Sequence, residues 1–487
     1  MLLSFVILYL AFSVGIGLYA ATRVHNIKDF AVAGRCLPLP VVTATVFATW
    51  FGAETVLGIS ATFVKDGLRA VVADPFGSSL CLILAGLLFA RRLYRLNLLT
   101  IGDYYRLRYN RVVEVLCTLC IVASYLGWVS AQIKALGLVF NIVTDGAMSQ
   151  PIGMVLGALI VLTYTTFGGM FSVAILDFVQ ITIIMGGMLY IGSVVSGLAG
   201  GVGAVVTHAA AAGKLDFFPP ASLESWIPFL GAWVTMMFGS IPQQDVFQRI
   251  TSARDEGTAV RGSVLGGSLY FFFAFVPMFL AYSATLIDPA QVTGLLERDS
   301  QLVLPTLIVQ HTPIVAQIVF FGALLSAIMS CSSATLLAPS VAFSENIVKG
   351  FLPTIGDRGL LLVMRTVLIG FAAIVLLFAL HSEASIFRMV ESAYKVTLVA
   401  AFVPLCAGLY WARATTQGAL LAIAAGLGTW MMLELSGSPN PVWPPQFVGF
   451  LMASAGMVTG SLLPQWFGHS VGLVSPERRP PLTTPVE

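Results

Sequence analysis

A cluster of hydroxyl side chains lies in the apolar stretch ALLSAIMSCSSATLLA, which covers residues 323–338. Its members are Ser326, Ser330, Ser332, Ser333 and Thr335. Small hydroxyl side chains let membrane helices pack closely, and they also bond to carbonyls of their own helix. Alternatively, some of them hold a cation, because hard cations such as Na⁺ prefer oxygen ligands. The stretch alone is compatible with both interpretations.

Two charged residues, Glu54 and Lys134, lie inside apolar stretches of the chain. A charge inside a bilayer is costly, so such residues are usually paired or functional. For Lys134 a simpler alternative exists, since a long lysine side chain can extend its amine to the membrane surface. Its central position in the apolar stretch argues against that alternative.

These residues must be positioned by membrane-spanning helices, as the composition shows. The chain has 487 residues, of which 57% are hydrophobic and 10% are charged, whereas a soluble domain is about a quarter charged. Apolar stretches of about 18 or more residues recur, and each can cross a bilayer core of about 30 Å. We therefore predict an all-α polytopic membrane protein with about thirteen transmembrane helices. The predicted spans are 2–22, 38–63, 70–92, 112–141, 150–168, 171–197, 225–248, 263–287, 313–347, 360–380, 385–409, 416–436 and 444–466.

Two of the predicted spans are interrupted. Span 2 contains the polar, glycine-containing sequence WFGAE at 50–54, and span 7 contains GSIP at 239–242. Pro242 lacks a backbone donor and disfavours a helical conformation of Ile241. Because the two spans are five apart, they favour two five-helix repeats of inverted topology. Broken first helices in both repeats are typical of a midplane binding site in a secondary transporter; two ordinary kinked helices are the alternative.

The predicted domains follow from these repeats. An N-terminal transmembrane helix covers 1–24, the first five-helix repeat covers 38–197, and the second, inverted repeat covers 225–409. Two C-terminal helices cover 416–466. The last segment, 467–487, is rich in proline and is predicted to be a disordered cytoplasmic tail.

Lysine and arginine are distributed unequally between alternate loops, and this bias predicts the orientation. The loops after spans 1, 3, 7 and 9 and the tail carry most of them. The alternate loops carry only Lys65, Arg69, Lys214 and Arg298. We therefore predict a multi-pass protein of the inner (plasma) membrane, with its N-terminus outside and its C-terminus in the cytoplasm.

Several local motifs resemble those of the sodium/solute symporter family. They are DFAVAGR at 29–35, TIGDYYRLRYNR at 100–111, TYTTFGGMFSVAILDFVQ at 163–180, IPQQDVFQRITSARD at 241–255 and the hydroxyl-rich stretch at 323–338. Their order along the chain is that of the family. The segments TATVFATWFGAE, LCLILAGLLFA, IKALGLVF and VFQRI are most similar to the choline-transporter branch. The resemblance implies an inverted-repeat transporter fold with one extra N-terminal helix.

The resemblance also implies a sodium site between the first broken helix and the hydroxyl-rich helix. Its ligands would be the carbonyls of Ala48, Phe51 and Ala327, the hydroxyl of Ser330, and the side chain of Cys331. Asp177 matches an acidic residue that supports the site. The family usually has serine or threonine at position 331, and a thiol is a poor partner for sodium. The site would then be weak, would recruit Ser333 or water, or would no longer couple transport to sodium.

Solute recognition is expected near the two helix breaks. In the choline-transporter branch, aromatic residues surround the quaternary ammonium group, and Trp50 and Trp128 match two of them. Ser78 and Gln243 stand where the other aromatic residues would be, so the resemblance does not identify the solute. The remaining candidate substrate-binding residues are Glu54, Thr55 and Lys134.

The implied fold places the helices of Glu54 and Lys134 next to each other, so we expect an ion pair between them. The lysine ammonium could instead replace the cation, which would make transport proton-coupled or ion-independent, or it could bind a substrate carboxylate. The expected coupling ion is sodium. The alternative is that a proton replaces it.

The predicted function is therefore secondary active transport of a small organic solute by alternating access. The predicted partners are the solute and the lipid bilayer. No nucleotide-binding loop, metal-binding motif or catalytic pairing is present in the sequence, so neither an enzyme nor a nucleic-acid-binding protein is expected. A transporter-like solute sensor is the alternative from another class. The sequence does not predict the oligomeric state.

Overall fold

The computed structural model describes residues 1–352, 354–437 and 442–466, and this part of the chain is mainly helical. The predicted tail at 467–487 lies outside the described residues. The helices in the first half of the chain are α1 (Leu2–Ala21), α2 (Ile27–Val32), α3 (Leu39–Trp50), α4 (Glu54–Asp66), α5 (Leu68–Arg95), α6 (Ile101–Arg108), α7 (Arg111–Val143), α8 (Gln150–Leu198) and α9 (Val202–Ala211).

The helices of the second half alternate long apolar runs with short connecting helices. They are α10 (Leu223–Gly239), α11 (Gln244–Ser252), α12 (Glu256–Ile287), α13 (Pro289–Arg298), α14 (Val303–His311), α15 (Ile314–Asn346), α16 (Asp357–His381), α17 (Ile386–Tyr410), α18 (Thr416–Leu435) and α19 (Pro445–Leu462).

Within the described residues, nine helices are long and apolar enough to cross a membrane, or ten when α3 and α4 are taken as one bent span. The predicted number of about thirteen is therefore not confirmed by length and composition. One reason is that α8 has 49 residues and counts once, although the sequence predicts two spans there. Another is that α10, with 17 residues, is too short to be counted.

Helix α8 turns back on itself at Gly169. A straight helix of its length would extend about 74 Å, more than twice a bilayer core. Gly169 has a left-handed conformation, with φ 49° and ψ −140°. On one side of this break Tyr164 donates to the carbonyl of Met329 at 3.1 Å, and on the other side Asp177 accepts from Ser330 at 2.5 Å. Since these partners are adjacent on α15, the two parts of α8 pass the same level of the molecule.

The hydroxyl-rich helix, α15, is enclosed by other helices, and every residue from 320 to 342 is buried. Its C-terminal end is held by Asn346, whose side chain accepts from Thr100 at 2.7 Å and donates to Asp103 at 2.9 Å. Thr100 and Asp103 also form a capping box at the start of α6, which satisfies free amides of that short helix. The site described below is therefore built on a fixed helix.

Gly169 provides a test of the turn in α8. A Cβ atom at this position would lie 2.5 Å from the carbonyl oxygen of Phe30, and the backbone conformation is strained for any other residue. Gly169→Ala should therefore destabilise the fold by about 1–3 kcal/mol, seen as a lower melting temperature of the detergent-solubilised protein. Gly186→Ala on the same helix is the matched control, because a Cβ atom there meets open space. Equal melting temperatures for the two variants would contradict the turn.

Candidate functional site

The first helix break separates α3, which ends at Trp50, from α4, which begins at Glu54. The two helices are bent by 53°, and Phe51 leaves the helical conformation with φ −88° and ψ 78°. A break leaves backbone groups without helical partners, and inside a membrane these groups need other partners. Gln132 of α7 supplies one, since its Oε1 accepts from the amide of Ala53 at 2.9 Å. The sequence did not single out Gln132.

The second break lies between α10, which ends at Gly239, and α11, which begins at Gln244. The hydroxyl of Thr397 donates to the carbonyl of Gly239 at 2.7 Å. Gln243, within the break, donates from Nε2 to the hydroxyl of Ser124 at 2.9 Å. Both interruptions predicted from the sequence are therefore present, and each is held by side chains from neighbouring helices.

Oxygen atoms from three helices meet beside the first break. Ser330 Oγ lies 3.0 Å from the carbonyl oxygen of Ala48 and 2.5 Å from Asp177 Oδ1. The hydroxyl of Thr45 donates to the other oxygen of Asp177. All four residues are buried. Hydroxyl, carbonyl and carboxylate oxygens are the donors that a hard cation prefers, so this set fits a sodium ion.

The other predicted sodium ligands lie around this set. Phe51 follows the last residue of α3, and Ala327 lies three residues before Ser330 on α15, which places it on the same face of the helix. Their carbonyls stay predicted ligands. Cys331 faces a different group, because its Sγ lies 3.9 Å from Glu54 Oε1.

The neighbouring hydroxyls of α15 bond to their own helix. Ser332 donates to the carbonyl of Ile328 at 2.6 Å, and Thr335 donates to that of Cys331 at 2.7 Å. Such contacts agree with a packing role. Ser326 bonds to its own helix and to the hydroxyl of Tyr9 on α1. Ser330 differs because its partners are a carbonyl of α3 and a carboxylate of α8. The hydroxyl cluster thus contains one candidate ligand and several packing residues.

Glu54 is a buried carboxylate at the first break, with 2% of its surface exposed. Trp128 Nε1 donates to its Oε1 at 3.2 Å, and Gln132 Nε2 donates to its Oε2. In the described part of the chain no basic side chain forms an ion pair with it. Its place at the start of α4 stabilises a negative charge by at most about 2 kcal/mol, less than the several kcal/mol that burial of a carboxylate costs. Glu54 is therefore suited to accept a cation.

The expected ion pair between Glu54 and Lys134 is wrong. Lys134 Nζ donates to the carbonyls of Ser382 and Ala384, at 3.2 and 2.8 Å, in the loop between α16 and α17. It lines a cavity of about 400 Å³ on that side. The physical reason is the helix period: Lys134 is two residues after Gln132 and so points to a nearly opposite face of α7.

Three aromatic side chains pack against one another next to Glu54, and we call Trp50, Trp128 and Tyr394 the aromatic cluster. The ring centroids of Trp50 and Trp128 lie 5.3 Å apart, and Tyr394 lies 5.8 Å from the first ring and 5.5 Å from the second. Tyr125 stacks on Trp128 at 6.0 Å. The sequence predicted the two tryptophans but missed Tyr394, since nothing in the pattern of span 11 distinguishes it from the other aromatic residues there.

Thr55 and Ser78, two further predicted substrate-binding residues, belong to a network around Asp74. Thr55 Oγ1 lies 2.9 Å from the hydroxyl of Tyr270, which donates to Asp74 Oδ1 at 2.6 Å. The hydroxyl of Ser78 donates to the same carboxylate oxygen. Sequence reasoning missed Asp74, although the rule that found Glu54, a charge inside an apolar span, applies to it equally.

Asp245 and Arg249 of α11 complete the buried charges near the second break. The hydroxyl of Tyr125 donates to Asp245, and Arg249 Nη1 lies 3.3 Å from the carbonyl oxygen of Asp245. Together with Trp50 they line a cavity of about 10 Å³, which is room for about one water molecule. Both residues lie in the motif at 241–255, but no role was predicted for them.

The profile of one protein family, described as the sodium:solute symporter family, matches residues 30–426. The chain belongs to that family. This confirms the resemblance drawn from the motifs, and it makes the protein a multi-pass membrane transporter that couples the movement of a small solute to sodium.

Relatives of the symporter move different solutes. It is 27% identical to the high affinity choline transporter 1 of Homo sapiens, over 88% of this chain and 75% of the relative. It is 24% identical to the sodium/glucose cotransporter of Vibrio parahaemolyticus, over 86% of this chain and 82% of the relative. The solute is therefore not fixed by the family.

The fold of the symporter is also that of a solved transporter. A sodium-coupled sialic acid symporter, in a substrate-bound outward-open state, superposes with a TM-score of 0.82 at 19% identity, covering 97% of this chain and 99% of the other. The predicted fold class, an all-helical inverted-repeat membrane transporter, is confirmed. The repeat boundaries at 38–197 and 225–409 stay predictions.

Ser330 and Ser332 give a matched test of the sodium site. Ser330→Ala should raise the sodium dissociation constant about tenfold or more, because it removes a hydroxyl that faces Ala48 and Asp177. Ser332→Ala should change it less than about twofold, because that hydroxyl bonds to its own helix. Sodium-dependent thermal stabilisation of the purified protein measures both constants. Equal effects of the two substitutions would refute the assignment.

Proposed function

We propose that the symporter moves an organic cation with an ammonium group, together with sodium, past the two helix breaks. The observation that carries the proposal is the aromatic cluster beside a buried carboxylate. Trp50, Trp128 and Tyr394 offer aromatic faces, which attract ammonium groups. Glu54 lies next to them, with Trp128 donating to its carboxylate at 3.2 Å, and adds to the negative charge around the rings.

The balance of buried charge supports a cationic solute. Around the two breaks, the described residues include four buried carboxylates, whereas the buried basic group among them is the guanidinium of Arg249. The carboxylates are those of Glu54, Asp74, Asp177 and Asp245. Burial of an unpaired charge is unfavourable, so this region favours positive cargo. A sodium ion and an ammonium group together reduce the excess, whereas an anionic solute would add to it.

One of the relatives agrees with this choice. The human relative is a choline transporter, and choline carries a quaternary ammonium group. Two positions of its branch, matched here by Ser78 and Gln243, are polar in this chain, and Tyr394 instead contributes the third ring of the aromatic cluster. The cluster therefore suits an ammonium group, while the polar residues set the preference for the rest of the solute.

The same half helix serves both cargo sites, which gives a physical basis for coupling. Ala48, which faces Ser330, and Trp50, which belongs to the aromatic cluster, are two residues apart at the end of α3. A sodium ion, when bound, supplies positive charge against Asp177 and ties Ala48 to α15. Because Trp50 is two residues after Ala48, an ion bound to the Ala48 carbonyl holds the end of α3 in place and so positions the Trp50 ring for the solute.

Two alternatives were left open by the sequence, a coupling role of Lys134 and a solute sensor, and the first has less support than the proposed function. A role of Lys134 as a substitute cation is not supported, because its amine donates to two loop carbonyls and to none of the four buried carboxylates. The orientation, with the N-terminus outside and the C-terminus cytoplasmic, stays a prediction from the loop charges. It places the loop that binds Lys134 on the outside. A solute sensor differs from a transporter in that it binds the solute without accumulating it.

Uptake into proteoliposomes tests the proposed solute class. A thermal-shift screen of ammonium compounds, beginning with choline, selects the radiolabelled probe. Under an inward sodium gradient the probe should accumulate above its equilibrium level, and without sodium it should not. Glucose and pantothenate, a neutral and an anionic solute, should not compete. Accumulation of either of these without that of any ammonium compound would contradict the proposal, and saturable binding without accumulation would indicate a sensor.

Tyr394 provides a test of the aromatic cluster itself. Tyr394→Ala should raise the half-saturating concentration of the ammonium probe about tenfold, which is ~1.4 kcal/mol and within the range of a cation–π contact. Tyr394→Phe is the matched control and should stay within about threefold, because the ring remains and the buried hydroxyl has no hydrogen-bond partner in the described part of the chain. Equal loss in both variants would assign the effect to the hydroxyl and count against a cation–π role.

A further inference from the structure

The sodium site of this chain lacks a hydroxyl at position 331, where the structure places a thiol. Two adjacent residues of α15 point to two different carboxylates. Ser330 contacts Asp177 at 2.5 Å, and the Cys331 thiol lies 3.9 Å from Glu54 Oε1. We infer that the Glu54 carboxylate is a ligand of the coupling sodium ion and replaces the oxygen that position 331 does not provide.

The backbone at the first break allows Glu54 to reach this place. A Cβ atom added to Gly52 would lie 2.6 Å from Glu54 Oε2 and 2.9 Å from both Cβ and Sγ of Cys331. The carboxylate and the thiol therefore occupy the same side of Gly52. Any larger residue at position 52 would displace one of them.

The chemistry of the groups favours the carboxylate over the thiol. Sodium is a hard cation, and carboxylate oxygens suit hard cations better than sulfur does. A carboxylate has about four lone-pair sites. Glu54 accepts from Trp128 and from the Cys331 thiol at Oε1 and from Gln132 at Oε2. One site on Oε2 therefore remains to contact a cation.

Gln132 acts as a positioning residue for this ligand. It accepts from the amide of Ala53 at 2.9 Å through Oε1 and donates to Glu54 through Nε2. One amide side chain therefore ties the broken backbone to the carboxylate. With Trp128 on the other oxygen, the carboxylate is oriented before the ion arrives, which lowers the cost of binding.

This inference rests on the sodium site at Ser330 and does not depend on the chemistry of the solute. Binding of ²²Na⁺ to the purified protein, without any solute, tests it directly. Glu54→Gln keeps the shape of the side chain and should raise the sodium dissociation constant tenfold or more. Cys331→Ser, added to Glu54→Gln, should recover at least threefold of that loss, because it supplies a hydroxyl at position 331.

A matched control comes from a second buried cysteine. Cys117 of α7 is fully buried, and its thiol faces the carbonyl of Ala400, away from the site. Cys117→Ser, added to Glu54→Gln, should recover less than twofold. Recovery by both serines, or by neither, would overturn the replacement of position 331 by Glu54.

The remaining outcomes are also decisive. A sodium dissociation constant within twofold of the wild-type value in Glu54→Gln overturns the inference. If sodium binding is unchanged but choline, at saturating sodium, binds more weakly, Glu54 is a solute ligand, and the proposed function stands without this inference. If Glu54→Gln does not fold, Glu54→Asp, which retracts the carboxylate by one methylene, is measured instead. A rise of threefold or more then supports the inference, and an unchanged constant overturns it.

Discussion

The structure depends on one constraint, which is that two interrupted helices lie inside a membrane. Water is absent from the bilayer core, so every backbone group freed by a break must find a partner in the protein. Gln132 binds the free amide of Ala53, and Thr397 binds the free carbonyl of Gly239. These side chains come from α7 and α17, which pack beside the breaks. The irregular backbone is therefore stabilised by side chains of neighbouring helices.

The same constraint applies to the buried carboxylates around the two breaks. Glu54, Asp74, Asp177 and Asp245 are all buried, and each accepts from hydroxyl, indole or amide donors instead of forming a salt bridge with a lysine. Neutral donors orient a carboxylate but leave its charge largely uncompensated. A site of this kind remains able to exchange its cation, whereas a permanent ion pair would remove that ability. The buried donors thus suit a transporter, which must release what it binds.

Much of this arrangement could be predicted from the sequence, and the part that could not has a physical cause. The breaks at Gly52 and Ser240 follow from glycine and proline chemistry, and Glu54 follows from the cost of a buried charge. Asp74 could have been found by the same rule. Tyr394 and Gln132 could not, because their importance comes from contacts across more than 70 residues. The error about Lys134 arose because residues two apart on a helix face opposite ways, and depth in the membrane does not fix direction.

Cys331 is the most informative departure from the pattern that the resemblance implied, because its thiol and the buried Glu54 carboxylate meet in space. A cysteine in place of a hydroxyl would weaken a sodium site that had no other source of oxygen. Yet Glu54, at the start of α4, lies against that thiol, and Trp128 and Gln132 donate to its carboxylate. The Cys331 thiol alone is a poor sodium ligand, and the Glu54 carboxylate alone is an unpaired buried charge. Together they are favourable, because the carboxylate supplies the oxygen that sodium needs and sodium supplies the charge that the carboxylate lacks. The contact between the thiol and the carboxylate supports our inference that the Glu54 carboxylate takes the place of the hydroxyl at position 331.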